Sequence, residues 1–217
     1  AAMHAPSSPS SLLEPVWLDD ALLALNKPAG LLCVPGRGAD KLDCLASRAQ
    51  AAWPDALVVH RLDMATSGLV LMARGAVMQR ALSVAFANRA VDKRYVAVVH
   101  GRLEPAEGRI DLPLTADWPN RPRQIVDRER GKPSLTHYRV IGHDAISDTT
   151  RLELVPVTGR SHQLRVHLCA IGHPIVGDAL YGPDPLPPGR LMLHAQSLAF
   201  THPRDGRLLR LETSVPF

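Results

Sequence analysis

Only three cysteines occur in the 217 residues, Cys33, Cys44 and Cys169, an odd number at unrelated spacings. That argues against a disulfide framework and against a thiolate zinc site, and it fits a reducing, cytoplasmic setting. Long apolar runs are missing too. Nothing approaches the roughly 18 residues that a membrane helix needs, so no membrane partner is expected. The first residues are small and polar, without the charged start and apolar stretch of a secretory leader, and Met3 reads as the native start. A glycine-rich nucleotide-binding loop is absent. The histidines do not replace the missing thiolates. His162 and His167 stand at i, i+5, a poor ligand pair on a helix, and with His173 they find no thiolate or carboxylate group to complete a set. No metal and no cofactor is therefore expected. There is no internal repeat and no low-complexity block.

What is present is an ordinary globular composition, 46% apolar, in a length that suits one large domain or two small ones. The net charge of +4 is modest and compatible with a polyanionic partner. Its placement says more. Asn120 to Lys132 carries Arg121, Arg123, Arg128, Arg130 and Lys132 against Asp127 and Glu129, and a second group comprises Arg89, Lys93, Arg94, Arg102 and Arg109. Taken alone, such groups also suit a solvated charged surface.

Residues 1–13 read as a flexible N-terminal tail and 14–217 as one domain. Val16 to Leu18 and Leu22 to Asn26 look like strands around an Asp19-Asp20 turn. Leu42 to Trp53 suits a helix ending at Pro54, and Leu69 to Ala73 an apolar strand. Ala76 to Asn88 places Val77, Leu82, Ala85 and Phe86 at roughly helical spacing, which predicts an amphipathic helix. Strands are predicted at Tyr95 to Val99, Arg109 to Leu112, Leu135 to Ile141, Thr150 to Val157, Met192 to Phe200 and Leu208 to Thr213. A helix from Ser161 to Ile171 would bury Leu164, Leu168 and Ile171. Strands dominate and connections are too short for repeated crossovers, so the fold class is α+β with a large mixed, mostly antiparallel β-sheet flanked by a few helices.

Three segments could carry chemistry. His60-Arg61-Leu62-Asp63-Met64-Ala65-Thr66-Ser67-Gly68 sets an acid beside an arginine at the mouth of a strand. Such a carboxylate is a nucleophile or general base, or else a turn residue bonded to nearby backbone. Thr158 to His167 holds Gly159, Arg160, His162, Gln163, Arg165 and His167. If Leu164 faces the core, Arg165 lies about 100° round the helix, near the edge of the buried face. There it can pair with a carboxylate while its stem covers apolar surface. Lys93 to Gly101 alternates so that Tyr95, Ala97 and Val99 share one strand face.

These segments resemble the RluA-type RNA pseudouridine synthases. The first carries every fixed position of that family's H-R-L-D-x-x-T-S-G. The second is similar to its G-R-x-H-Q-[LI]-R-x-H, and the third to its K-x-Y-x-A-x-V-x-G. Leu25 to Leu31 resembles an opening N-K-P-x-G-L, while Gly172 to Asp178 and Leu193 to Ala195 resemble closing motifs that shape the sheet and the site walls. The resemblance implies a pseudouridine synthase fold and nominates Asp63 as the catalytic residue. It further implies that Arg165 pairs with Asp63, since a cation beside a carboxylate fixes its aim and favours its charged form. Tyr95 would stack on the target base and assist proton removal, and Arg61 would enter the space the base leaves. Arg160, Lys93, Arg121 and Arg123 would bind RNA. Asp111 to Leu114 and Asp117 to Pro122 look most like the member that modifies both transfer RNA and large-subunit ribosomal RNA, with the following segment as an RNA-gripping loop. A monomer without the small S4-type RNA-binding domain is expected, acting on a tRNA or 23S rRNA stem-loop.

The implied reaction breaks the N1–C1′ bond of a uridine, rotates the base and rejoins it through C5. It is redox-neutral and needs no cofactor. The uridine must first leave its stack. Whether Asp63 attacks the sugar or deprotonates it stays open between a covalent adduct and a glycal route. Two other classes compete with this reading. A non-catalytic RNA-binding module would need basic loops and an aromatic but not an acid among the cations. A hydrolase using Ser67 or a histidine–acid pair lacks the G-x-S-x-G elbow.

Overall fold

The computed structural model describes residues 14–183 and 188–217, so the predicted tail at 1–13 lies outside the described residues. Twelve strands and three α-helices are found among them, an α+β fold with a large, mostly antiparallel sheet, as expected. The chain divides into two compact units. One comprises the described residues up to Val91 together with Ala199–Thr213, and the other Asp92–Leu198 with Ser214–Phe217.

The first unit contains β1 (Trp17–Leu18), β2 (Leu22–Lys27), β3 (Ala56–Val58) and β4 (Ser67–Arg74). β2 pairs antiparallel with β1 and with β4, and β3 pairs with β4. β2 and β4 read as nearly continuous apolar runs because almost every residue of both is buried. The Asp19 carboxylate ties the β1–β2 turn, accepting from Ala21 N (2.7 Å), Leu22 N (3.0 Å) and Trp17 Nε1 (2.9 Å), with His202 Nε2 at 2.8 Å. Burial pushes its carboxyl up, but the Trp17, Ala21, His202 and Leu22 bonds outweigh this and carry it to about 2.

Helix α1 (Leu45–Ala52) starts later than the sequence suggested, because Cys44 and Ser47 form a capping box that sets its first turn. Helix α2 (Ala76–Ala87) buries Leu82 but leaves Val77 73% exposed. The two are five residues apart, about 140° round the helix, too far for one face.

In the second unit β5 (Asp92–His100), β10 (Thr149–Pro156), β9 (Leu135–Asp144) and β6 (Glu107–Asp111) lie side by side in that order, all antiparallel. β10 alternates cleanly between half-buried and buried residues. Tyr95, Ala97 and Val99 of β5 face Leu154, Leu152 and Thr150 in register, the shared face that the alternation predicts. A small hairpin, β7 (Leu114–Ala116) and β8 (Gln124–Val126), was not legible in the sequence, since three residues per strand give no period to read. The last strands are β11 (Leu193–Thr201) and β12 (Leu208–Glu212).

Helix α3 (Gln163–Ala170) departs from the predicted stripe. Leu164 and Leu168 are buried, but so are Gln163, Arg165, Val166 and His167. Val166 packs with Leu114, Val126 and Tyr181 on one side, and Gln163 and His167 bond to Thr136 of β9 on another. Arg165 is therefore 5% exposed, not at the edge of the buried face.

Candidate active site

In the first unit the loop that carries Asp63 is fixed residue by residue. Leu71 N donates to His60 Nε2 (2.9 Å), and the His60 ring stacks on Phe86 at 4.3 Å. A nitrogen that accepts a backbone N–H cannot carry a proton, so His60 acts as a clamp on β4. Leu62 N donates to Cys33 Sγ (3.2 Å). Thr66 N donates to the Asp63 carbonyl (3.1 Å), closing a turn. The Met64 carbonyl accepts from Gly30 N (2.8 Å) and from Lys27 Nζ (3.0 Å).

Lys27 is fully buried, and its ammonium also donates to Pro28 O (2.9 Å) and Leu31 O (2.7 Å). A buried ammonium persists only with such donors satisfied. The opening N-K-P-A-G segment thus grips the carbonyl next to Asp63, a role its sequence does not display. Gly68, with φ of +121°, permits the turn from this loop into β4 at a conformation L side chains rarely adopt. The Asp63 side chain is half-buried, and Arg61 beside it is exposed. Ser67 is 3% exposed as the first residue of β4, and His60 Nε2 is occupied by the Leu71 amide.

In the second unit Arg165 is gripped by Asp178 in a bidentate pair, Nε to Oδ2 at 2.9 Å and Nη2 to Oδ1 at 2.7 Å. Asp178 is 1% exposed, and its Oδ1 also accepts from Leu180 N and Tyr181 N. Burial pushes this carboxyl up, but the Arg165 bonds and charge and the two backbone donors hold it below the usual carboxylate range. The Tyr181 ring lies under two guanidinium groups, Arg123 at 5.3 Å and Arg165 at 5.4 Å. Its hydroxyl accepts from Gln124 N (2.8 Å) and shares a hydrogen bond with His162 Nδ1 (2.7 Å). Asp178 and Tyr181 were not singled out from the sequence. Their signal was the acid that ends the Gly172 to Asp178 motif.

Tyr95 is half-buried on β5, with Lys93 two residues away on the same face. Lys93 Nζ lies beside Gly159, where an added Cβ would stand 3.3 Å from it. Burial pushes this ammonium below its ordinary range. Arg160 is half-exposed, with Nε and Nη2 on the Pro133 carbonyl at 3.2 and 3.1 Å. Lys93 thus approaches the Thr158–Gly159 corner, from which Arg160 follows in the chain. That corner is fixed by Gln163, whose Oε1 accepts from Thr158 Oγ1 (2.6 Å) and Arg160 N (3.1 Å). Arg121 and Arg123 are exposed on the hairpin connection.

His162, His167 and His173 each have a protein partner. His167 Nε2 donates to Leu112 O (2.9 Å), since a carbonyl only accepts, and Nδ1 meets Thr136 Oγ1 at 2.9 Å. Burial lowers its pKa. His173 Nδ1 meets the His100 carbonyl at 2.8 Å. His194 is buried, and desolvation together with the Arg190 charge pushes it down to about 4, so the ring is neutral near pH 7.

An acid on a braced turn, an arginine paired with a buried carboxylate and a strand tyrosine two residues from a lysine all fall on motif positions. Residues 21–170 match the model of the RNA pseudouridylate synthase family. The chain belongs to that family. This synthase is 47% identical over 205 residues to the dual-specificity RNA pseudouridine synthase RluA of Escherichia coli strain K12, with 93% of each chain covered. It is 49% identical over 207 residues to the enzyme of the same name from Vibrio cholerae, covering 94% of this chain and 84% of that one. Among solved structures it resembles human RNA pseudouridylate synthase domain containing 1, with a TM-score of 0.79 and 29% identity, over 99% of this chain and 87% of that one. It is an RNA pseudouridine synthase, an isomerase that converts uridine to pseudouridine.

Proposed function

We propose that this synthase acts in the cytoplasm as a monomer on a stem-loop uridine in tRNA, in 23S rRNA or in both. The observation that carries the reading is the complete H-R-L-D-x-x-T-S-G loop, with the backbone on both sides of Asp63 pinned by Cys33, Thr66, Gly30 and Lys27. Support for more than one RNA target comes from the dual specificity in the names of its relatives and from the resemblance carried by Asp117 to Pro122. In this reading Asp63 meets the sugar of the flipped uridine, and Arg165 orients and charge-balances it. The base detaches at N1, rotates and bonds through C5. The C5 proton leaves and N1 gains one, so the RNA keeps its composition. Tyr95 stacks on the base and assists the proton's removal. Arg61 fills the vacated place in the RNA, while Lys93, Arg160, Arg121 and Arg123 hold phosphates.

Pseudouridine mapping of total RNA from cells with and without the gene tests the substrate assignment. The expected result is loss of one or a few pseudouridines, in an anticodon loop, a 23S hairpin or both. Loss confined to other RNAs overturns it. Tyr95→Phe should keep stacking and binding but lower turnover by about a hundredfold to ten-thousandfold, the size typical of a lost proton-transfer group. Single-turnover rates at saturating enzyme would show this, and a wild-type rate removes the hydroxyl from the chemistry.

A further inference from the structure

Trp118 is 66% exposed, the wrong place for a large apolar ring whose only task is packing. It sits in a short 3-10 turn, Trp118–Asn120, at the tip of the β7–β8 connection. The tip is ordered by its own bonds. Asp117 N donates to Arg123 O (2.9 Å), Asn120 N to Asp117 O (3.0 Å) and Arg123 N to Asn120 O (3.0 Å). Asn120 Nδ2 donates to Asp117 Oδ2 (3.0 Å). Pro119 and Pro122 further restrict the backbone. At its base the loop is anchored through Gln124 N on the Tyr181 hydroxyl. The ring is therefore held outward by a preordered scaffold.

The Arg121 guanidinium lies 4.9 Å from the Trp118 ring centroid. Arg123 is exposed on the same connection, and Arg128, Arg130 and Lys132 are exposed on the segment after β8, where Asp127 spends a carboxylate oxygen on Glu129 N and Arg130 N. An outward aromatic in a cationic setting suits one partner chemistry above others: a nucleotide whose base has a free π-face and whose phosphates meet the cations.

We propose that Trp118 and Arg121 form a stacking clamp for an unpaired nucleotide of the substrate RNA, separate from the uridine that is converted. The clamp rests on the RNA-modifying activity of this synthase. It supplies affinity and placement of the stem-loop without touching the reacting atoms. Stacking tolerates any base, so it senses that a nucleotide is unpaired rather than which one it is.

The test compares wild type, Trp118→Ala, Trp118→Phe and Trp118→Leu on one stem-loop RNA. Filter binding gives Kd, and saturating single-turnover gives the rate of pseudouridine formation. Trp118→Ala should weaken binding by about tenfold to a hundredfold, the range for loss of one stacked base, with the saturated rate within about twofold of wild type. Trp118→Phe should recover most of the affinity, and Trp118→Leu, which restores bulk without a π-face, should not. Unchanged binding in Trp118→Ala overturns the clamp, as does equal recovery by leucine. A wild type that binds this RNA but forms no pseudouridine in it would discredit the substrate assignment and not the clamp, which the binding data judge alone.

Discussion

Asp63→Asn should bind the stem-loop RNA within about threefold of wild type and form no measurable pseudouridine, a loss of roughly four orders of magnitude or more. The substitution keeps the shape of the side chain and removes its ability to attack or to accept a proton. The bonds that fix the loop run through the Asp63 and Met64 carbonyls, the Leu62 amide and the Lys27 ammonium, so the turn survives the change. Primer extension after pseudouridine-specific derivatisation reads the product, and filter binding reads the affinity. Residual activity within a hundredfold of wild type would sink the assignment of Asp63. Loss of binding in parallel would mean that the acid organises the site rather than reacting in it.

Asp178→Ala should destabilise the fold by about 3–5 kcal/mol, the usual cost of removing one partner of a buried ion pair. In a chain of this length that lowers the melting temperature by about 10 °C. Two effects add here. The buried Arg165 guanidinium loses its bidentate acceptor, and the Leu180 and Tyr181 amides lose theirs. Asp178→Asn retains an oxygen for the amides and should cost less. Thermal unfolding followed by circular dichroism decides the matter, and a shift under 2 °C for the alanine variant refutes the bracing role. The pair is insensitive to mild acid. A carboxyl held below its unfolded value keeps its contribution above about pH 4 and loses it only as pH falls through the folded pKa.

How much of this was legible beforehand depended on whether the signal was contiguous in the chain. The turn after Asp63 could be read because its residues are contiguous: Thr66, Ser67 and Gly68 follow the acid, and Thr66 N closes on the Asp63 carbonyl. β10 could be read because its burial alternates strictly. The grip of Asp178 on Arg165 joins residues 13 apart and exists only once α3 has turned back on the segment after it. Lys27 stood only as one position of the Leu25 to Leu31 segment, and its burial shows only when the carbonyls of Pro28, Leu31 and Met64 converge. Arg165 was expected at the edge of the buried face because helical periodicity assumes one covered side, whereas α3 is covered on several. Val77 failed for a simpler reason, its angle to Leu82 on α2.

The ring of Tyr181 has a consequence for how this enzyme's parts can be valued singly. One hydroxyl takes the Gln124 amide and the His162 imidazole, and one ring serves both Arg123 and Arg165. The hairpin connection and the buried arginine thus draw on the same side chain, as two spans draw on one pier. A ledger that assigns each its own share of stability would count that ring twice.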